Sequence, residues 1–437
     1  MSMRRRPNEV PQDLFVPLTR LSAPGNPFYD RLNGIFHRNG FDSFAEELCE
    51  PFYKQGGRPS IPPGVYFRMI WIGYLEGIGS ERGICWRVQD SLSLRTFLGL
   101  SLETPVPDHS SLSRIRQRLG TGVLVEIFGW VLEVLRTEGL LRGKCLGVDS
   151  TTLEANASMK RIQHRVDGKT YREFLKNLAQ ADGEANPSPQ DLSRRDRKRA
   201  KKVSNKDWEH PVDPDARISR MKNGTTRMAH KVEHAVDMES GAIAAVEVYE
   251  GSEGDTQTID RTLSAAAAHT EEHPEEVVAD AGYHSNDVLE TLAADGTRTY
   301  IAERKQGRRN WKGKEEARNA VYANRARIQR PKGKSLQRSR GERVERTFQF
   351  LYDRCGLRRC TLRGAQNILK RLLMQASGFN LCLVMRKLFG RGTPRGMAAI
   401  WRLIGDVFRA LMSHFCFRGN AVWTQDKFTQ HFCPKVA

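Results

Sequence analysis

An α/β fold, with a mixed sheet flanked by helices and an all-helical region before it, is predicted by three features of the sequence. Between residues 62 and 135, apolar side chains recur at spacings of three and four, which is typical of amphipathic helices. From 144 to 302, short β-branched runs bounded by glycine alternate with helical patterns. A chain that mixes strands and helices in this order favours a sheet with helices on its faces.

The helical region begins at Pro62, and a serine at Ser80 and an aspartate at Asp108 are positioned to cap two of its helices. The helix after Asp108 carries basic residues at alternate positions, namely Arg114, Arg116 and Arg118. Short helices with such arginines are typical of a helix-turn-helix-like DNA-binding domain. They are equally typical of an ordinary helical domain with solvated arginines, and the sequence alone does not decide between the two.

Strands are predicted at 144–153, 230–237, 242–248, 277–280 and 298–302. The second and third are joined by the turn Met238-Glu-Ser-Gly241, which predicts a hairpin. Helices are predicted at 255–269 and 286–292, and a further helix is predicted to begin near Gly341. Residues 156–228 are polar and basic, and they are predicted to be largely loop or weak helix.

The charge is uneven along the chain. The net charge is +19, and two short windows, 194–202 with a net charge of +6 and 304–340 with +12, hold nearly all of it. A nearly neutral body with two basic strips predicts contact with a polyanion such as DNA, whereas solvated loops are the alternative. The basic residues singled out in these strips are Arg194, Arg195, Lys198, Arg199, Lys201, Lys202, Arg308 and Arg309.

Other classes of protein are disfavoured by composition. No apolar run of about 18 residues is present, which argues against a membrane span. The basic N-terminus has no apolar segment behind it, so no secretory signal is predicted. The eight cysteines have no C-x-x-C spacing, which favours idle thiols in a reducing cytosol over a zinc or redox site.

Three acidic residues stand where strands or helices are otherwise apolar. Asp149 lies in the first strand and Asp280 ends the fourth, so adjacent strands would bring them together. A third acid is expected from the helix near Gly341, with Glu345 at the edge of its apolar stripe and Glu342 one turn earlier. Carboxylates that hold two Mg²⁺ ions suit in-line displacement at phosphorus. Spacing alone leaves open the alternative that the acids are unrelated.

At these residues the sequence resembles the DDE transposases of bacterial insertion sequences. The resemblance spans roughly residues 60–395. It rests on Gly147-Val-Asp149-Ser-Thr, His230-Lys-Val-Glu-His234, Ala279-Asp280-Ala-Gly-Tyr283 and Arg340-Gly-Glu-Arg-Val-Glu345-Arg-Thr-Phe. It implies an RNase H-like catalytic domain in which Asp149, Asp280 and Glu345 are the three acids. It also implies Mg²⁺, with Mn²⁺ as a substitute, and double-stranded DNA as partner, namely terminal inverted repeats and target.

The domain organisation expected from the resemblance has four parts. Residues 1–60 form an N-terminal extension, 61–140 a helical DNA-binding domain, and 141–390 the catalytic domain with basic insertions at 156–228 and 304–340. Residues 391–437 form a C-terminal helical tail. A homodimer or larger synaptic complex and a cytoplasmic, nucleoid-associated location are implied as well.

The sequence departs from the Tyr, Arg, Glu, Lys series that marks the YREK branch of these transposases. Counting from Glu345, Gly341 stands at the Arg position and Tyr352 at the Lys position, whereas counting from Glu342 gives Arg338 and Gln349. Arg343, Arg346 and Lys370 are candidates for holding the terminal phosphate instead, and ordinary surface charge is the equally open alternative for each of them. A metal-dependent nuclease without strand transfer, an inactive DNA-binding relative and an RNA-binding protein are the alternatives.

Overall fold

The first part of the chain is built from helices. The computed structural model describes residues 25–52, 61–184, 186–200, 203–221, 223–304, 309–357 and 360–397. Its N-terminal helices are α1 (Pro27–Arg38), α2 (Phe41–Cys49), α3 (Pro63–Glu76), α4 (Glu81–Gln89), α5 (Leu92–Phe97), α6 (His109–Arg118) and α7 (Thr121–Thr137). Asn26, Ser80, Ser91 and Asp108 cap four of them by accepting a hydrogen bond from the first turn.

Helix α3 lies at the centre of this part because almost every one of its side chains is buried. The Trp71 ring packs 5.3 Å from that of Phe36 in α1 and 5.2 Å from that of Phe41 in α2, measured between ring centroids. The Arg68 guanidinium is buried beside these rings and donates from Nη2 to Asp42 Oδ2 at 2.8 Å. Aromatic packing of this kind joins α1 and α2 to the core of the helical part.

A six-stranded mixed sheet follows. Its strands are β1 (Cys145–Glu154), β4 (Arg217–Arg220), β5 (Thr226–Asp237), β6 (Ile243–Glu250), β7 (Glu276–Ala279) and β8 (Arg298–Ile301). The order across the sheet is β4-β5-β1-β7-β8, with β4 and β6 pairing with successive halves of β5. Strands β1, β7 and β8 are parallel, and β5 runs antiparallel to β1. The short strands β2 (Gln163–His164) and β3 (Trp208–Glu209) form a separate pair.

Helices cover both faces of the sheet. The remaining helices are α8 (Tyr171–Ala181), α9 (Pro189–Lys198), α10 (Asp255–Thr270), α11 (Asn286–Ala294), α12 (Glu315–Gln329), α13 (Pro331–Gln349) and α14 (Ala365–Phe389). Side chains alternate along β1, so Asp149 faces α13 while the next residue, Ser150, faces α10. Strand β1 therefore contacts a helix on each face of the sheet, α13 on one face and α10 on the other.

Predictions about local structure differ from the structure in two places. The helix expected near Gly341 begins ten residues earlier, at Pro331, and α12 occupies the preceding basic strip. The stretch 156–228, expected to be largely loop or weak helix, contains the helices α8 and α9, and its described residues also include the strands β2, β3 and β4, which were not predicted. In both places the helices bury few side chains, many of them small, and the rest of their surface is charged and exposed. The three-to-four-residue repeat of apolar side chains that normally predicts a helix is therefore weak in the sequence.

The segment Ala365–Met397 is long and apolar enough to cross a membrane, by length and composition only. In the structure, 78% of its apolar window is buried within the protein, against α7, α3 and β6. Such burial is what the core helix of a globular domain shows. The predicted tail helix beyond residue 397 lies outside the described residues.

Candidate active site

Asp149 is held at the middle of β1 with its carboxylate beneath α13. Its Oδ1 accepts the backbone N–H of Ser150 at 2.8 Å. Its Oδ2 accepts from Arg340 Nη1 of α13 at 2.7 Å, in an ion pair whose two side chains are only 13% and 26% exposed. The strand and the helix thus fix both oxygens of this acid.

Asp280 follows β7 directly and lies next to Asp149. The parallel ladder pairs Gly147 with Val278, and each aspartate stands two residues beyond this last pair. Asp280 Oδ1 accepts the backbone N–H of Gly282 at 2.7 Å, which holds the carboxylate in the turn after the strand. The two acids are therefore brought together by neighbouring parallel strands, as their positions in the sequence predict.

The electrostatic setting of Asp149 reflects this arrangement. Burial raises the pKa of its carboxyl above the usual range, and the negative charge of Asp280 raises it further. The Arg340 guanidinium and the Ser150 N–H act in the opposite direction. A nearby cation stabilises two adjacent ionised carboxylates, and in this structure Arg340 supplies that positive charge.

The two residues predicted as candidates for the third acid, Glu345 and Glu342, lie on α13, which crosses the sheet from β8 to β5. Thr347 and Phe348 fix its C-terminal half, because His234 of β5 hydrogen-bonds Thr347 Oγ1 at 3.1 Å and stacks on the Phe348 ring at 4.3 Å. Glu345 lies beside this stripe, is exposed, and forms no hydrogen bond or ion pair with any described residue. Glu342 is exposed too, but it is paired with Arg346.

The donors present fit a divalent cation only in part. Asp149 and Asp280 offer adjacent carboxylate oxygens, which are the ligands that Mg²⁺ and Mn²⁺ prefer. Within the described ranges, no three His, Cys, Asp or Glu side chains are assembled as a metal site. Glu345 is not brought against the two aspartates, and Arg340 occupies one oxygen of Asp149.

A buried polar network supports the two aspartates from the opposite face of the sheet. Asp255, the first residue of α10, accepts from Ser150 Oγ at 2.8 Å and pairs with Lys231 Nζ at 2.7 Å through the same oxygen. Its other oxygen lies so close to Gly282 that a β-carbon there would be 2.3 Å away. Asp255 therefore touches the residue after Asp149 and the turn that holds Asp280.

The arginines of the helical part divide by exposure. Arg114 and Arg118 are exposed at a cleft of about 650 Å³ next to α6. Arg116 is half-buried, and its guanidinium pairs with Glu81 at the start of α4. Lys370 of α14 is only 8% exposed and lines the same cavity as Arg116, although the two are far apart in the sequence.

The basic strips are partly engaged within the protein. In α9, Arg195 pairs with Asp182, and Arg199 lies over the Phe174 ring, whereas Arg194 and Lys198 are exposed. Arg309 pairs with Glu303 at 2.7 Å and is 16% exposed. Lys201, Lys202 and Arg308 lie outside the described residues.

A groove of about 360 Å³ runs beside the C-terminal half of α13. Four of its lining residues are arginines: Arg343, Arg346, Arg354 and Arg386. Arg343 donates to the Glu239 carbonyl oxygen at 2.6 Å, and both Arg354 and Arg386 are exposed. The structure thus places Arg343 and Arg346, which the sequence singled out, in one cationic groove with two further arginines.

Several residues of the site were not predicted. Arg340 belongs to a basic strip and to the motif around Glu345, but no role was predicted for it, although it lies one turn before Val344 on the buried side of α13. Placing the start of that helix at Pro331 would have revealed this position. Lys231 and Asp255 gave no signal, because one reads as a polar strand residue and the other as a helix cap.

The fold and the paired aspartates agree with the outcome of comparisons with known families. The Transposase domain (DUF772) family model matches residues 18–118, and the Transposase DDE domain family model matches residues 189–381. The chain belongs to the DDE transposases. Asp280 and Glu345 of this transposase lie within the second match, and Asp149 precedes it.

The DDE domain implies an RNase H-like fold, so the predicted fold class is confirmed. The prediction of an insertion-sequence transposase is confirmed as well, while its YREK branch stays a prediction. No curated protein matches the chain.

Proposed function

We propose that this transposase binds the inverted-repeat ends of an insertion sequence, cleaves a DNA strand there and joins the freed 3′ end to target DNA. Asp149, Asp280 and Glu345 are the proposed catalytic acids. The observation that carries the proposal is the juxtaposition of Asp149, in the middle of β1, with Asp280, directly after the adjacent parallel strand β7, beneath the helix that bears Glu345. Carboxylates arranged in this way can hold the metal ions that catalyse in-line displacement at phosphorus.

Asp149 and Asp280 would hold Mg²⁺ or Mn²⁺, two ions in the full site, with Glu345 joining when DNA is bound. A divalent cation there would supply Lewis-acid activation of the attacking oxygen and charge neutralisation at the phosphate. The backbone N–H groups of Ser150 and Gly282 orient the two carboxylates. Burial raises the pKa of Asp149, and the positive charge of Arg340 opposes that effect and so favours the ionised carboxylate in the absence of the cation.

DNA would follow the exposed cations on either side of these acids. The groove of Arg343, Arg346, Arg354 and Arg386 begins one turn from Glu345 and fits a phosphate backbone by charge. The cleft lined by Arg114 and Arg118 offers a second contact on the helical part. Cutting two ends together requires a dimer or larger synaptic complex, and the protein would work in the cytoplasm at the nucleoid.

The test is a cleavage and joining assay on two labelled duplexes, one with the element's ends and one as target. We expect joined product with Mg²⁺ and none with EDTA. Glu345→Gln should abolish both steps, while the matched variant Glu342→Gln, in the same helix, should retain them. Loss in Glu342→Gln alone would reassign the third acid. Cleavage without joining would make the protein a nuclease, and binding without cleavage would overturn the catalytic proposal.

A further inference from the structure

A second site is suggested by a cavity of about 250 Å³ between the helical part and α14. Its walls come from α3, the start of α4, α6 and α14. The polar residues that face it are Tyr66, Tyr74, Glu81, Arg116, Lys370 and Arg371. The cavity lies apart from the paired aspartates, since none of its lining residues belongs to the sheet.

Lys370 is the residue that needs explaining. It is 8% exposed, and within the part of the chain that the structure describes its ammonium group has no hydrogen bond or ion pair. Burial, together with the nearby Arg116, lowers the pKa of this lysine. Because Lys370 lines the cavity, its ammonium group can find a partner there only in water or in a bound anion.

The rest of the wall favours an anion. Arg116 is neutralised by Glu81, which also accepts from Ser113, so this carboxylate is already engaged. Arg371 donates to the Cys355 carbonyl oxygen at 2.7 Å and to Thr361 Oγ1 at 3.4 Å. Neither bond removes its charge. Two cations, Lys370 and Arg371, therefore face the cavity, and the carboxylate in its lining, Glu81, is already paired with Arg116.

Neutral donors complete the site. The hydroxyl groups of Tyr66, which is buried, and Tyr74, which is half-buried, have no hydrogen-bond partner among the described residues. Gly79 and Ser80, at the N-terminal end of the nine-residue helix α4, also line the cavity. The N-terminus of a helix adds positive potential that favours an anion.

We propose that this cavity binds one phosphate group, held by Lys370 and Arg371 and by the hydroxyl groups of Tyr66 and Tyr74. The volume equals about eight water molecules, which accommodates a phosphate with some solvent. The group would be a backbone phosphate of the DNA, an assignment that rests on the proposed function. Because Tyr66 and Tyr74 belong to α3 whereas Lys370 and Arg371 belong to α14, a phosphate here would tie the helical part to α14.

The first test measures the affinity of the protein for inorganic phosphate. Binding to the full-length protein is followed by calorimetry in EDTA, with chloride at the same ionic strength as reference. We expect Lys370→Met to weaken phosphate binding at least about tenfold, because a charge-assisted hydrogen bond is lost. Tyr66→Phe removes a single hydroxyl group and should weaken it less. The matched control is Lys387→Met, which removes an exposed lysine about 25 Å further along the same helix.

The second test distinguishes a free anion from DNA. The affinity for a duplex is measured over a range of salt concentrations, again in EDTA. Losing one phosphate contact should reduce the slope of log K against log salt by about 0.9 in Lys370→Met and leave it unchanged in Lys387→Met. Phosphate binding lost without a change of slope would overturn the assignment to DNA.

Equal phosphate binding by the wild type and Lys370→Met would overturn the anion site, leaving water in the cavity. Neither measurement needs cleavage. A protein that fails to cut DNA can therefore still confirm this site, and one that cuts DNA can still refute it.

Discussion

Replacing Lys231 by methionine tests the buried network that supports the catalytic acids. Lys231 is 4% exposed and has two partners at 2.7 Å, Asp255 Oδ1 and Thr258 Oγ1. Methionine keeps the length and the apolar stem of lysine but removes the charge. Asp255, which also holds Ser150 and abuts Gly282, would then be a partly buried carboxylate without its counter-ion.

The size of the effect follows from the geometry. Two charges at this distance attract by about 6 kcal/mol at an effective dielectric constant of about 20. Removing the lysine also relieves the cost of burying its ammonium group, which offsets part of this loss. Breaking one partner of a buried pair typically costs 3–5 kcal/mol, and the Asp255 side chain is 31% exposed. We therefore expect a loss of about 2–4 kcal/mol in the free energy of unfolding.

The assay is equilibrium urea unfolding of the wild type, Lys231→Met, Asp255→Asn and the double variant. Because the double variant removes both charges of the Lys231–Asp255 pair, its loss should fall short of the sum of the single losses by about 1–3 kcal/mol. Lys144→Met is the matched control, since its pair with Glu275 is exposed and should contribute less than about 1 kcal/mol. Strictly additive losses for Lys231 and Asp255 would refute the coupling argued here.

Further substitutions probe the space and the charge around the site. Gly282→Ala would place a β-carbon 2.3 Å from Asp255 Oδ2 and 3.0 Å from Asp280 Oδ1, so it should cost about 1–3 kcal/mol in thermal unfolding and slow DNA cleavage. Gly341→Ala, with nothing within 4 Å, should instead stabilise α13 by about 0.5–1 kcal/mol, and a loss there would contradict the packing. Burial and the nearby Glu233 raise the pKa of Glu247 to about 6, against the pull of Arg261. A carboxyl group whose pKa is raised in the folded state lowers the free energy of unfolding as the pH rises toward and past 6, because the folded state then holds an ionised, buried carboxylate. Glu247→Gln removes this cost, so it should raise the free energy of unfolding by about 1–2 kcal/mol at pH 8 and hardly at all at pH 4.5. An equal gain at both pH values would contradict this origin.

The sheet could be predicted because its strands carry strong local signals. The run that became β1 is short and β-branched, and the turn at Met238–Gly241 joins β5 to β6 where expected. The helices α8 and α9 lie in a stretch predicted as loop or weak helix, and their bounds were not predicted, although Thr170 and Ser188 form capping boxes with acids three residues later. These start signals precede segments with few apolar residues, and the periodicity that normally accompanies a cap is therefore weak.

The candidate site was predictable to the extent that it lies on strands. Asp149 and Asp280 follow from strand positions, since the register of the parallel pair β1–β7 places both two residues beyond Gly147 and Val278. Arg340 and Lys231 were not predictable, because a charged side chain that is buried against a distant partner leaves no periodic trace. Glu345 remains a prediction that depends on the resemblance, since the structure shows the helix that carries it and not its contact with the aspartates.

The central claim, that Asp149 and Asp280 hold the divalent cation used in DNA cleavage, is tested most directly by changing the ligand chemistry. Asp149→Cys and Asp280→Cys replace oxygen donors by sulfur, which Mn²⁺ accepts more readily than Mg²⁺. We predict that both variants fail to cut end-bearing DNA with Mg²⁺ and recover cleavage with Mn²⁺. The control Asp287→Cys, at an exposed position of α11, should cut with either ion. Cleavage by Asp280→Cys with Mg²⁺, or no recovery with Mn²⁺ in either variant, would contradict the account.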